Sequence, residues 1–587
     1  MKMKKNLTGY PSIDKPQNNG YSFMQKHPYI PNLSVYEAIY LLNYFYKEKE
    51  AIDCLDLSVS YGEMFEDSVT ISKALKELGV RKGDIIVISM PNYYQAVSAF
   101  MACNRIGAIT TFLNPSASKE EITEHLNMFE SPILINYDKS EEQNDFYKKN
   151  SKLNYIITLN KKNINNKDLG NDYHITSKDK FLDFNSLGTI SAFQRKGIPT
   201  GNGNSDSLIL YTSGSTGKPK AVVLTNKNII SAGIYLKNSS KSKELEGDRT
   251  LVCVPFMYPY GFSTSTLMTL MSNKTAILAP NMSNDTISYY LSKNPNIIFG
   301  SPALLDLIMK NTPSNQDLSS IRYYISGGDF LTPSHSFRGK QFFEEHGAKN
   351  VEMGNGSGNA ETVSCGTNPC GIEIRPETAG KVLVGTKAII LDPETLEEKK
   401  YGEEGLMCVS GKHVFKEYYN APDKTKKAKF TKNGVEYFKT GTMGFIDKDG
   451  YFTLTGRQSR FYIISTLNKV YCDKIQSLIS NLECVDDCAV VKVSDEDMLY
   501  SNTAFIVLNS KFEATEEQKE AIIELLKQPV YDSNGDLEQL SWYEIPKYIE
   551  FVEEIPKREG TKKTDYTLLE SKAEELKNQK QKKLVIE

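Results

Sequence analysis

The sequence predicts an α/β protein: parallel sheets covered by helices, followed by a smaller α+β unit. Three observations carry this. Short apolar runs alternate with segments whose apolar residues recur every three to four positions, the pattern of strand–helix–strand units. The chain has 587 residues, and at roughly 100–200 residues per domain that length favours several domains over one core. Past Gly456-Arg457 the alternation gives way to the smaller unit.

The elements follow in order. Asp84 to Ser89 is a short apolar run after a glycine turn, as a buried strand should be. Pro91-Asn92 opens a helical stretch, Tyr93 to Ile106, and Ala108 to Leu113 reads as the next strand. Ser118 ahead of Glu120-Glu121 marks a helix start, and Pro132 to Ile135 returns to strand. Lys161 to Lys180, rich in Asn, Lys and Asp, reads as an exposed excursion, and Gly197 to Ser207 as a loop without hydrophobic period. Leu208 to Tyr211 is strand-like. In the last part Cys488 to Val493 and Thr503 to Leu508 read as strands, and Leu568 to Lys583 as a solvated terminal helix. No repeat of fixed period is present.

Composition narrows the class. The chain is 40% hydrophobic and 24% charged, ample for folded cores. Lys+Arg number 70 against 73 Asp+Glu, for a net charge of -3. That balance argues against a nucleic-acid binder or a basic membrane-surface protein. The nine cysteines are odd in number, and Cys365 with Cys370 lacks the second pair that a zinc tetrad requires. No run approaches the ~18 apolar residues of a membrane span. The N-terminus is basic but lacks the apolar stretch of a signal peptide. A cytoplasmic protein of a reducing compartment is expected.

The most informative segment follows the strand ending at Tyr211. Thr212-Ser213-Gly214-Ser215-Thr216-Gly217-Lys218-Pro219-Lys220 combines hydroxyls, two glycines and two lysines. Glycines let backbone N–H groups approach an anion, hydroxyls donate hydrogen bonds, and lysines neutralise charge. It is not a Walker A loop, because only two residues separate its glycines and Pro219 stands where that motif needs Ser or Thr. A Ser/Gly-rich linker is the plain alternative, but linkers do not carry this ordered string after a buried strand.

With Tyr211 in front, this string resembles the signature loop of the adenylate-forming superfamily, which holds acyl-CoA synthetases, nonribosomal adenylation domains and luciferases. The resemblance extends in order from about residue 50 to 566. It implies a large N-terminal domain (1–458) of parallel-rich sheets with a β-barrel-like subdomain, a small mobile C-terminal domain (459–587), and ATP bound between them. Thr212, Ser213, Gly214, Ser215, Thr216, Gly217, Lys218 and Lys220 would hold phosphates, with Thr216 also near the metal. Ser326-Gly327-Gly328-Asp329-Phe330 resembles the Gly-Gly turn that backs the adenine. Asn355-Gly356-Ser357-Gly358-Asn359-Ala360-Glu361 aligns with the family's Asn-Gly-Tyr-Gly-x-Thr-Glu, where Glu361 would hold Mg²⁺. Ser357 replaces the aromatic that stacks on adenine, and Ala360 the hydroxyl that reaches the α-phosphate. Thr442 stands where the family's Thr-Gly-Asp carries the ribose carboxylate, and Arg457 keeps its register for ribose or phosphate. Ser459-Arg460 falls at the hinge. Leu467 stands where a glycine normally lets the pantetheine arm pass.

Ile555 to Tyr566 is similar to the family's closing motif, whose lysine bridges the substrate carboxylate and the α-phosphate. Counting from Pro556 selects Lys562; counting back from Asp565-Tyr566 selects Lys563, which is preferred. Pro255 to Phe262 corresponds to the acyl-pocket segment. The family's His is replaced by Tyr258, and the carboxylate that holds an α-amine is missing. Tyr258, Tyr260, Gly261, Ser301 and Ser326 then form the expected substrate set, suited to an uncharged aliphatic or aromatic acid. The same aromatic and Met cluster also fits plain core.

The reading is an AMP-forming acid–thiol ligase using ATP, Mg²⁺ and CoA. Two alternatives remain: an enzyme that loads the phosphopantetheine of a carrier protein, suggested by Leu467, and a non-catalytic nucleotide- or acyl-binding relative, suggested by Ser357, Ala360 and Thr442.

Overall fold

In a computed structural model, residues 7–131, 133–137, 153–159, 181–184, 187, 202–212, 220–240, 248–328, 331, 333–369, 373–457, 460–463, 469–495, 498–528, 530–531, 537–538, 540–557 and 564–586 are described. Among them, two mostly parallel sheets carry the first part of the chain. One runs, in spatial order, through strands Glu417–Tyr418, Ala221–Thr225, Asp206–Tyr211, Ile109–Phe112, Ile85–Ser89, Ile133–Tyr137, Tyr155–Leu159 and Phe181–Asp183. The other runs through Glu352–Asn355, Tyr323–Ser326, Ile297–Gly300, Arg249–Val252, Thr275–Leu278, Glu50–Cys54 and Leu57–Ser60. Antiparallel pairing enters only at one end of each, in the hairpin 206–225 with Glu417–Tyr418 and in the pair Glu50–Cys54 with Leu57–Ser60.

One apolar cluster joins both sheets, with Ile86, Leu208 and Val222 from the first and Ile52, Val252 and Leu278 from the second. Helix Tyr94–Ile106 lies in that cluster and exposes little beyond Arg105. A helix buried nearly all round is mostly apolar or small, and its buried polar Asn104 is satisfied by donating to Ser207 Oγ and Asn226 Oδ1. Gly107 ends it in the left-handed region, at φ 77°. Its start at Tyr94 and the following strand Ile109–Phe112 fall within the expected ranges, with one or two end residues trimmed. Ser118 caps its helix as expected, through a reciprocal box with Glu121.

A third, antiparallel sheet is built from Lys387–Leu391, Gly405–Ser410, Val435–Ile446 and Lys429–Lys432, with Phe452–Arg457 paired to Val435–Ile446. Beyond it, strands Val485–Asp495, Leu499–Leu508 and Tyr548–Phe551 form a small sheet with its own apolar clusters. The fold is thus α/β followed by α+β, as the alternation of elements predicted.

Two expectations need correction. The loop expected to reach Ser207 ends earlier, because strand Asp206–Tyr211 takes in Asp206 and Ser207. Ser207 is fully buried and its hydroxyl accepts from Asn104 at 2.8 Å, which anchors the strand start. The terminal helix, Tyr566–Ile586, is not solvated all round. Leu569 and Ala573, four residues apart, pack on Val491, Val493 and Phe505, while Glu574 accepts from the backbone and hydroxyl of Ser494. The expected excursion at 161–180 lies outside the described residues.

His413 sets a pH dependence of stability. Both its ring nitrogens are buried without a hydrogen-bond partner among the described residues, and burial pushes its pKa down to about 4. The unfolded chain therefore takes up a proton near pH 6.5 that the folded chain refuses until about pH 4. Stability from this group is complete above pH 6.5 and declines as the pH falls toward 4, by about 3 kcal/mol in total. Urea unfolding at pH 7.5 and 5 should show this decline in the wild type, and His413→Gln should flatten it.

Candidate active site

The antiparallel strands Asp206–Tyr211 and Ala221–Thr225 form a hairpin whose last pair is Tyr211↔Ala221. Beyond it the Thr212 N–H donates to the Lys220 carbonyl at 3.0 Å, and the Lys220 N–H donates to Thr212 Oγ1 at 3.1 Å. The mouth of the expected phosphate loop is therefore clamped shut, and Thr212 and Lys220 both line a cavity of about 2690 Å³. Ser213, Gly214, Ser215, Thr216, Gly217 and Lys218 lie outside the described residues.

Beside this hairpin stands Glu361, in the single helical turn Ala360–Thr362, almost fully buried but on the cavity wall. Its carboxylate Oε1 accepts from the Tyr418 hydroxyl at 2.6 Å, and its backbone carbonyl from the Phe415 N–H at 2.7 Å. Burial, and next to it the Glu361 charge, push the Tyr418 phenol well above its ordinary pKa, so it stays a donor. The Lys220 ammonium sits 4.9 Å from the centroid of the same ring. The turn leading away from Glu361 is tight. Val363 and Ser364 both have φ 56°, unfavourable for a β-branched residue. Gly358 is needed there, since a Cβ would fall 2.2 Å from the Ser364 carbonyl oxygen.

The rest of the 355–361 motif divides between building and lining. Asn355 spends its amide on the backbone, donating to the Leu331 and Pro376 carbonyls and accepting from the Leu331 N–H. It shapes the wall. The Gly356 N–H donates to the Ser326 carbonyl at 2.8 Å, and the Ser357 N–H to Thr367 Oγ1 at 2.9 Å. Gly356, Ser357, Gly358 and Ala360 all face the cavity.

Gly327 and Gly328 also line it, while Asp329 lies outside the described residues. The face of Gly327 is covered by a tyrosine: a Cβ there would meet the Tyr260 ring at 2.7 Å, and the Tyr260 hydroxyl donates to the Ile325 carbonyl at 2.7 Å. Tyr258, Tyr260 and Ser301 line the cavity, with Ser301 also capping helix Pro302–Asn311. Gly261 and Ser326, expected beside them, sit behind the wall. Ser326 is fully buried in its strand, and Gly261 packs against the Val254 carbonyl. Thr442 is likewise shut in at 1% exposure, paired across the sheet with Arg457, while its neighbours Lys439, Thr440 and Gly441 face the cavity.

Lys562 and Lys563 lie outside the described residues, but the stem they join is described. Lys557 pairs with Thr564, and the Asp565 N–H donates to the Pro556 carbonyl at 2.8 Å. Lys557, Thr564 and Tyr566 line the same cavity as Thr212 and Glu361. Arg460 ties this stem to the expected hinge. Its guanidinium stacks on Tyr566 at 3.6 Å, pairs with Asp473, and donates to the Val490 carbonyl at 2.7 Å. Tyr418 and the Arg460–Tyr566 stack escaped the sequence reading. Nothing local separates Tyr418 from Tyr419, since its partner is 57 residues away.

The cavity is several times the roughly 300–1,000 Å³ of a site for one small molecule. It gathers motifs separated by hundreds of residues and has room for more than one small molecule. The family model described as "AMP-binding enzyme" matches residues 44–419. This chain belongs to the AMP-binding enzymes, within the adenylate-forming superfamily. It is 26% identical over 543 residues to a long-chain-fatty-acid–CoA ligase of Bacillus subtilis (strain 168), covering 90% of this chain and 93% of that one. It is also 26% identical over 516 residues to 4-coumarate–CoA ligase 3 of Arabidopsis thaliana, covering 85% and 84%. Among solved structures, the anthranilate CoA ligase AuaEII in complex with anthranoyl-AMP superposes with a TM-score of 0.77 at 21% identity, covering 93% of this chain and 98% of that one. No helix among the described residues is long and apolar enough to cross a membrane.

Proposed function

We infer that this chain is an AMP-forming acid–thiol ligase, which activates a carboxylic acid with ATP and passes the acyl group to CoA. The observation that carries the reading is the convergence of Glu361 and Lys220 on Tyr418 in one cavity wall. An acidic and a basic group are thereby held apart and aimed at common space, as a metal-bound triphosphate requires.

The segment 212–220 grips the β- and γ-phosphates through Ser213, Thr216, Lys218 and Lys220. Gly327, Gly328 and the 355–358 turn flank the base, and Arg457 with the Thr442 strand serves the ribose. The chemistry of Glu361 fits Mg²⁺, which takes one or two carboxylates and completes its shell with phosphate oxygens and water. Among the described residues no cluster of three or more such ligands exists that would make a closed protein cage. Bound there, magnesium would offset phosphate charge. Lys563 or Lys562, in the segment between Lys557 and Thr564, neutralises charge as the substrate carboxylate meets the α-phosphorus and pyrophosphate leaves. No protein side chain is a nucleophile, so catalysis is positioning and electrostatics.

The acid is apolar. Met257, Tyr258, Tyr260 and Phe299 line its side of the cavity, and the similar ligases are named for long-chain fatty acids and 4-coumarate. The chain divides at 458/459 into a large domain and a small mobile one, and the attachment of Arg460 to Asp473 and Tyr566 supports a hinge just before it. The cytoplasm is the proposed location. ATP–pyrophosphate exchange across fatty, aryl and amino acids tests the reading, with exchange expected for apolar acids. No exchange with any acid refutes it. Adding CoA or a phosphopantetheinylated carrier protein then identifies the acceptor, with CoA expected.

A further inference from the structure

Tyr418 lies outside the strings named in the sequence, yet it touches both charged groups of the phosphate side. Strand Glu417–Tyr418 pairs with the hairpin so that Tyr418 faces Val222. Lys220 lies two residues before Val222 and so shares its face of the sheet, diagonal to Tyr418. That register places the ammonium over the ring at 4.9 Å. The other end of the ring is fixed by Glu361, whose Oε1 takes the hydroxyl at 2.6 Å. The same short segment holds the Glu361 backbone through the Phe415 N–H, and the Phe415 ring packs on Tyr418 with centroids 4.8 Å apart. The Tyr418 N–H donates to Thr425 Oγ1 at 2.9 Å, which pins the backbone in turn.

An ammonium and a carboxylate in a partly buried wall attract strongly. Paired directly, they would consume both groups that a magnesium-bound triphosphate needs. A tyrosine satisfies both without letting them meet, because its face attracts the cation and its hydroxyl donates to one carboxylate oxygen.

We propose that Tyr418 is a positioning residue that holds the Glu361 carboxylate toward the bound metal and keeps Lys220 poised for phosphate. The proposal rests on Glu361 being the metal-bearing group. Tyr418→Phe keeps the ring and the Lys220 contact and removes only the hydroxyl. Binding is read from the rise in unfolding temperature of the full-length protein on titration with MgATP, and with ATP in EDTA. Tyr418→Phe should weaken MgATP about tenfold, since a hydrogen bond to a charged group is lost, and change metal-free ATP less than twofold. Tyr418→Leu, which removes the ring as well, should also weaken metal-free ATP several-fold.

Equal changes in both nucleotides for Tyr418→Phe, or none, would make Tyr418 ordinary core and overturn the proposal. Unchanged metal-free ATP binding in Tyr418→Leu would overturn its Lys220 half. Glu361→Gln is the reference. If it leaves the gap between MgATP and ATP intact, the metal reading of Glu361 fails and takes the proposal with it. If it closes the gap while Tyr418→Phe does not, the proposal alone fails.

Discussion

Glu361→Gln should lower magnesium-dependent ATP–pyrophosphate exchange by about 10²–10³-fold, the scale of losing one preorganised electrostatic contact to a developing charge. The substitution is nearly isosteric, and its amide oxygen can still accept from the Tyr418 hydroxyl that now meets Oε1. The backbone contact from the Phe415 N–H is untouched. The folded state should therefore persist, with an unfolding midpoint within a few degrees of wild type. What disappears is the negative charge proposed to meet magnesium, and an amide oxygen binds that ion far more weakly. The loss should be partly recovered at high magnesium if the ion is the missing partner. Exchange within twofold of wild type, in a protein with unchanged stability, would remove Glu361 from the site.

How far the site could be read in advance followed from how local each interaction is. Ser118 was legible because a capping box closes over three residues. Thr212, Lys220, Gly327 and Glu361 were legible because each sits in a contiguous string, and all four reach one cavity. Gly261 and Ser326 belong to equally recognisable strings, yet they serve the wall from behind. A string marks a segment but does not say which of its side chains faces inward. Thr442 makes the same point, shut in at 1% exposure between two residues' reach of Thr440 and Gly441, which face the cavity. Tyr418 and Ser207 were illegible because their partners, Glu361 and Asn104, are 57 and 103 residues distant. In the terminal helix, lysines and glutamates outnumber the apolar pair Leu569 and Ala573, so composition hid the face that packs.

The largest loss outside Glu361 is expected at the segment between Lys557 and Thr564. Two lysines compete there, and the stem favours one. Thr564 is fixed by its pairing with Lys557, and Asp565 by the Pro556 carbonyl. Tyr566 is held beneath the Arg460 guanidinium at 3.6 Å. Lys563 is bonded directly to this immobilised stem, whereas Lys562 is one residue farther from it. Electrostatic stabilisation depends on a charge that is already in place when the transition state forms, so the lysine next in sequence to the fixed stem should contribute more. Lys563→Ala should cut exchange by about 10²–10³-fold and Lys562→Ala by roughly tenfold or less. Transfer from preformed acyl-adenylate to CoA should stay within a few-fold of wild type for both, because the charge that the lysine offsets arises only as carboxylate and α-phosphate approach. Measuring the two half-reactions separately on the full-length variants decides the point. A larger loss for Lys562→Ala would exchange the two assignments, and full exchange in the Lys562→Ala/Lys563→Ala double variant would dismiss this segment as the source of the catalytic charge.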